Sequence, residues 1–106
     1  MKKASIYTTT LLIAVIFSAC TRPSISVFVD QKTVSVNQTV IFEITKSKSA
    51  TVLIEYGDGE FEDLGGLNDK YLEAVHKYKS PGTYSPTVTA FVKDQSQSAG
   101  LTIKVE

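Results

Sequence analysis

His76 is the single histidine of this 106-residue chain and Cys20 the single cysteine, which bounds the chemistry its side chains can support. Nucleophilic catalysis needs an activated Ser, Thr or Cys with a base beside it, and no local motif supplies that pairing. A catalytic zinc site needs three protein ligands and an open position, which one histidine does not provide. A phosphate-binding glycine loop opens a helix, whereas Gly57-Asp58-Gly59 lies between strand patterns and carries a negative charge. An acidic run, Glu55, Asp58, Glu60, Glu62 and Asp63, has Asp69 and Glu73 nearby. Asp58, Glu60, Glu62 and Asp63 are the candidate ligands for calcium, which takes about 6–8 oxygens. Their spacing matches no EF-hand loop, and the preferred reading is a solvated turn and edge strand whose charges deter sheet-to-sheet pairing. A glycosidase pair needs carboxylates about 5–10 Å apart in a cleft, which short loops on a small domain do not build. No catalytic residue and no cofactor is therefore expected. His76 shares an apolar strand face with Tyr78 and is expected to be a hydrogen-bonded structural histidine.

The elements that position these residues follow from period-2 alternation, the signature of half-buried strands. Ile25, Val27 and Val29 share one face; Val40, Phe42 and Ile44 the next; Val52, Ile54 and Tyr56 a third. Leu72, Ala74, His76 and Tyr78 form a fourth set, Tyr84, Val88, Ala90 and Val92 a fifth, and Leu101, Ile103 and Val105 a sixth. Turn residues separate them: Asn37-Gln38, Lys46 to Ser49, Gly57-Asp58-Gly59, Gly65-Gly66, Pro81-Gly82 and Asp94 to Ser98. This predicts an all-β antiparallel sandwich of about seven strands over residues 25–106. Pro86 falls inside the fifth set. Proline cannot donate to a ladder, so either that strand bulges or Pro86 faces a gap in the pairing. Phe61, Leu64, Leu67 and Tyr71 crowd the segment before the fourth set. They are expected to dock on the sandwich as core, and otherwise form the first binding surface to consider.

The N-terminus has a different organisation. Lys2 and Lys3 precede the apolar run Leu11 to Phe17, then small Ser18-Ala19, then Cys20. That order predicts a secretory signal over residues 1–19, with an apolar run too short for a bilayer core of ~30 Å. Phe17-Ser18-Ala19-Cys20 resembles a bacterial lipobox, although Leu is usual where Phe17 stands. The resemblance implies that Cys20 is diacylated and becomes the new N-terminus, anchored to a membrane through residues 20–24. Each buried methylene of an acyl chain contributes about 0.8 kcal/mol. Thr21 follows the cysteine where Asp would retain a lipoprotein, so the resemblance implies an outer membrane. Without Lys2 and Lys3 the chain has nine basic and eleven acidic residues, a net charge of −2, which offers no electrostatic footprint for nucleic acid.

Two motifs occur in order: Ile54-Glu55-Tyr56-Gly57-Asp58-Gly59, then Val75-His76-Lys77-Tyr78 with Pro81-Gly82-Thr83-Tyr84. Together they resemble the PKD domain, an immunoglobulin-like sandwich of exported bacterial proteins, over roughly Pro23 to Glu106. The family commonly has Trp where Ile54 stands, Phe where Tyr56 stands and Val where Pro86 stands. Some of its members bind calcium. Tyr84 after the Pro81-Gly82 corner resembles a tyrosine corner, its hydroxyl tied to upstream backbone. The expected role is a non-catalytic, lipid-anchored envelope module whose partner is an envelope protein or a glycan. The alternative is a structural spacer in an envelope assembly without a ligand of its own.

Overall fold

The computed structural model describes residues 22–106, so the expected signal segment 1–19 and Cys20 lie outside the described residues. Among the described residues there are ten strands and no helix. One antiparallel sheet has the order β1 (Ile25–Phe28), β3 (Thr39–Lys46), β6 (Tyr71–Lys77). The second has the order β5 (Phe61–Gly65), β4 (Thr51–Glu55), β8 (Thr87–Val92), β9 (Gln95–Gly100). A third, small sheet places β10 (Ile103–Val105) between β2 (Thr33–Val34), which runs parallel to it, and antiparallel β7 (Gly82–Tyr84).

Alternation explains how the two larger sheets close on one another. In β3 every second residue is buried, so Val40, Phe42 and Ile44 point inward while Ile41, Glu43 and Thr45 point out. Ala74 joins them from β6, and Val52, Ile54, Val88 and Ala90 face them from the other sheet. β-Branched residues on two pleated inner faces interdigitate in this way, and the strands keep their polar neighbours in water. β1 lies against β8 and β9 at one side of the sandwich. β5 and β6 are the free strands at the other.

Ten strands replace the expected seven or so: the two-residue β2 belongs to none of the alternating sets, and three further differences have local causes. The fifth alternating set is two strands: β7 ends at Tyr84, β8 begins at Thr87, and the two belong to different sheets. Pro86 sits buried at that crossing, where no ladder needs its missing N–H, and its carbonyl accepts from Leu101 N at 3.2 Å. The segment from Asp94 to Ser98 is mostly strand. Val92 pairs with Gln95, so Lys93-Asp94 alone make the turn, with Lys93 at φ +54°. Phe61 to Gly65 also forms a strand, because it pairs with β4. There the register shifts between Val52 and Leu53, so Leu64 is an extra residue on the edge.

Candidate functional site

The residues singled out for chemistry meet at one end of the sandwich. After β4 the chain reverses through Tyr56-Gly57-Asp58-Gly59, closed by Tyr56 N donating to Glu60 O at 2.9 Å. Gly57 holds φ +89° and Gly59 φ +96°, a region that costs other residues strain. The turn aims Asp58 at β6. Its Oδ1 accepts from Glu60 N at 3.1 Å, and its Oδ2 lies 2.7 Å from His76 Nε2. A carboxylate only accepts, so Nε2 carries the shared proton.

Aromatic rings extend this contact across the end of the core. The Tyr56 and His76 rings stack at 3.9 Å, nearly parallel. The edge of His76 meets Tyr78 at 4.8 Å, and Tyr78 stacks with Tyr84 at 4.4 Å. Each hydroxyl has a partner. Tyr78 donates to Tyr56 O at 2.7 Å, Tyr84 to Ser80 O at 2.8 Å, and Tyr56 to Glu62 Oε1 at 2.9 Å. The arrangement ties the ends of β4, β6 and β7 together, with Gly82 opening β7 after Pro81. Among the described residues the side chain of His76 hydrogen-bonds only Asp58.

Electrostatics at this end follow from burial and those bonds. Burial works against ionising Asp58, but the bonds from His76 and the Glu60 amide outweigh it and hold the carboxyl below its ordinary 3.8. Burial first, then Glu62, pushes the Tyr56 phenol up; burial, then Asp58, does the same to Tyr78. A group whose folded pKa is depressed adds stability above its unfolded value and loses it as pH falls through the folded one. Acid should therefore remove the Asp58 contribution, beginning near pH 3.8 and continuing below. Urea midpoints at pH 7 and pH 3 check this. Asp58→Asn should be about 0.5–1.5 kcal/mol less stable at pH 7 and lose less on acidification. Parallel pH profiles for the two proteins would show that the carboxylate contributes nothing.

The remaining sequence candidates do not converge. Phe61, Leu67 and Tyr71 are 64%, 60% and 72% exposed, against the expectation that they pack as core, while Leu64 is partly buried. The cause is their place in the fold. The extra residue in β5 turns Leu64 inward, Leu67 lies in the loop beyond β5, and Tyr71 alternates outward because Leu72 faces in. Phe61 and Gly65 sit at opposite ends of β5, roughly 13 Å apart, so the four make no single patch. The calcium candidates are separately engaged. Asp58 meets His76, Glu62 accepts from Tyr56, and Asp63 accepts from Gly65 N at 3.0 Å. Among the described residues no three His, Cys, Asp or Glu side chains are grouped to hold an ion. Glu60 lines a depression of about 270 Å³ with Asp58, Lys77, Lys79, Ser80 and Tyr84.

Sequence reasoning missed the Asp58–His76 contact, although both residues belonged to the motifs it isolated. It also placed Lys46 in a turn. Lys46 is the last inward residue of β3, 3% exposed, with Nζ donating to Ser47 O at 2.9 Å. Burial lowers its pKa, and Asp69 partly offsets this. The inward phase of Val40, Phe42 and Ile44, carried one step further, marks it.

Comparison with known proteins fits this geometry. The family model described as PKD domain matches residues 24–105. The chain resembles the PKD domain of an M14-like peptidase from a Thermoplasmatales archaeon, with 17% identity and a TM-score of 0.66, over 79% of this chain and 92% of that one. It also resembles the PKD domain of the human VPS10 domain-containing receptor SorCS2, with 21% identity and a TM-score of 0.61, over 100% and 85%. A third likeness is the CARDB domain of the PF1109 protein from Pyrococcus furiosus, solved with di-metal ions. There the identity is 16% and the TM-score 0.55, over 79% and 94%. At these identities the three structures speak to the fold alone. No curated protein matches the chain.

Proposed function

The chain belongs to the PKD domain family, and on that premise we propose that it is a bacterial lipoprotein whose immunoglobulin-like module makes non-catalytic contacts at the cell envelope. The observation that carries the reading is how the polar groups are used. Asp58, His76, Tyr78 and Tyr84 satisfy one another and nearby backbone, while Ile41 and Val75, cross-strand neighbours on the outer face of β3 and β6, stay exposed together. Satisfied polar groups hold the frame, and exposed apolar groups are what a contact surface offers. Those side chains favour a module that touches an envelope protein or glycan over an inert spacer.

Cys20, acylated after removal of residues 1–19, is the proposed anchor, and the outer membrane the proposed site. Ser24 is fastened to the domain: its N donates to Ser47 Oγ at 2.8 Å and its carbonyl accepts from Ser47 N at 3.2 Å. From Cys20 to Ser24 an extended chain spans at most about 14 Å, so an anchor at Cys20 holds the sandwich close to the bilayer. Cys20→Ser should move the protein out of the processed, membrane-bound fraction. Mass spectrometry of the native protein should find two or more acyl chains on Cys20, and an unmodified Cys20 would end the anchoring proposal. Loss of membrane attachment with an unchanged fold would leave the domain reading intact.

A further inference from the structure

β6 is an edge strand with seven residues and a bonded neighbour on one side only. Lys70 O accepts from Lys46 N, and Tyr78 O from Asn37 N. Even-numbered residues of β6 therefore turn their peptide groups toward β3, and alternation leaves those of Tyr71, Glu73, Val75 and Lys77 pointing outward. The same four side chains lie on the outer face, with Tyr71 72% and Val75 55% exposed.

Their order is self-complementary. Read in both directions from Val75, the second residue is Glu73 one way and Lys77 the other. We infer that β6 pairs antiparallel with β6 of a second copy of this chain about a two-fold axis at Val75. The two sheets then join into one of six strands. In that register Val75 faces Val75 of the second copy, and Glu73 faces Lys77 twice. The adjacent register sets Glu73 against Val75, and the next sets Glu73 against Glu73, so charge selects the first.

Two features of the single copy point the same way. Glu73 lies directly opposite Glu43 in β3, a like-charge pair at a position without mutual hydrogen bonds, where side chains approach closely. Among the described residues neither Glu73 nor Lys77 makes an ion pair. Lys77 of the second copy supplies the missing cation on the far side of Glu73. Ile41 lies opposite Val75, so pairing produces a continuous apolar row, Ile41–Val75–Val75–Ile41, from two half-rows that are exposed alone. The other free strand, β5, offers Glu62 and Asp63 with no cation, and self-pairing there would set acid near acid. The pairing involves neither Cys20 nor the motif turn, so it stands or falls independently of the anchoring proposal.

Facing residues in such a hydrogen-bonded pair have Cα atoms ~5.5 Å apart, within disulfide range. The test is mild oxidation of the purified chain with its one native thiol removed by Cys20→Ser and carrying Val75→Cys, with Leu67→Cys in the same background as an exposed comparison, read as a doubled-mass band on a non-reducing gel. Val75→Cys should give about tenfold more dimer than Leu67→Cys. Adding Glu73→Lys should remove that excess, and combining it with Lys77→Glu should restore it, because the exchange recreates both ion pairs. Circular dichroism checks that each variant stays folded. Equal crosslinking at residues 75 and 67, or no restoration in a folded charge-exchange variant, would overturn the proposal.

Discussion

Tyr78→Ala should destabilise the domain by about 4–8 kcal/mol, a large part of the roughly 4–13 kcal/mol expected for some 85 residues. Two costs combine. Removing a buried aromatic ring typically costs about 3–5 kcal/mol, and Tyr78 is among the largest fully buried side chains, with His76 on one side and Tyr84 on the other. Its hydroxyl also donates to Tyr56 O at 2.7 Å, the carbonyl just before the Gly57 turn, and an unsatisfied buried acceptor costs about 1–3 kcal/mol. Tyr78→Phe separates the two, since it keeps the ring and should cost only the second amount. Urea denaturation of both variants checks the division. If Tyr78→Phe matched the parent within ~0.5 kcal/mol, as surface substitutions usually do, the bond across the end of the sandwich would contribute nothing.

That bond also shows what was legible in the chain. Strands β3, β4, β6 and β8 could be read from alternation because each buries one face, so chemistry changes sign at every residue. β9 could not. It lies at the end of its sheet and presents Gln95, Ser96, Gln97 and Ser98, and with no face deeply buried there is no apolar phase to detect. The division at Pro86 was half visible: proline marks missing pairing, but nothing local says that the chain changes sheet there. Lys46 was hidden by its charge. A long aliphatic stem can fill an inward position while its ammonium finds a carbonyl at the rim, as Nζ does with Ser47 O. The exposure of Phe61 and Tyr71 has the opposite origin. Composition marks a side chain as apolar, but whether a second layer covers it depends on sheet order. The PKD-type motif was legible as a set of residues, whereas the Asp58–His76 pair needs the register that brings β6 beside the β4 turn.

Gly57 and Gly59 flank Asp58 with similar positive φ, yet substituting them should give different results. At Gly57 a Cβ would lie 2.9 Å from Ser85 N and 3.3 Å from Ser85 C. Both are backbone atoms between β7 and β8, which cannot swing aside as a side chain can. At Gly59 an added Cβ meets nothing within 4 Å. Alanine at Gly59 therefore carries only the left-handed backbone cost, about 1–2 kcal/mol. Alanine at Gly57 adds the displacement of a packed backbone, about 1–3 kcal/mol more, for a total of about 2–5 kcal/mol. In a domain of this size each kcal/mol shifts Tm by roughly 4–8 °C. Gly57→Ala should thus melt at least ~8 °C below the parent, and clearly below Gly59→Ala. The consequence reaches past stability, because the approach of Gly57 to Ser85 sets where Asp58 points. Displacing the turn should lengthen the Asp58–His76 contact, visible as a shift of the His76 ring signals in Gly57→Ala but not in Gly59→Ala. Equal melting temperatures for the two variants would mean that the chain at Ser85 yields freely, and that the close approach does not hold the turn in place.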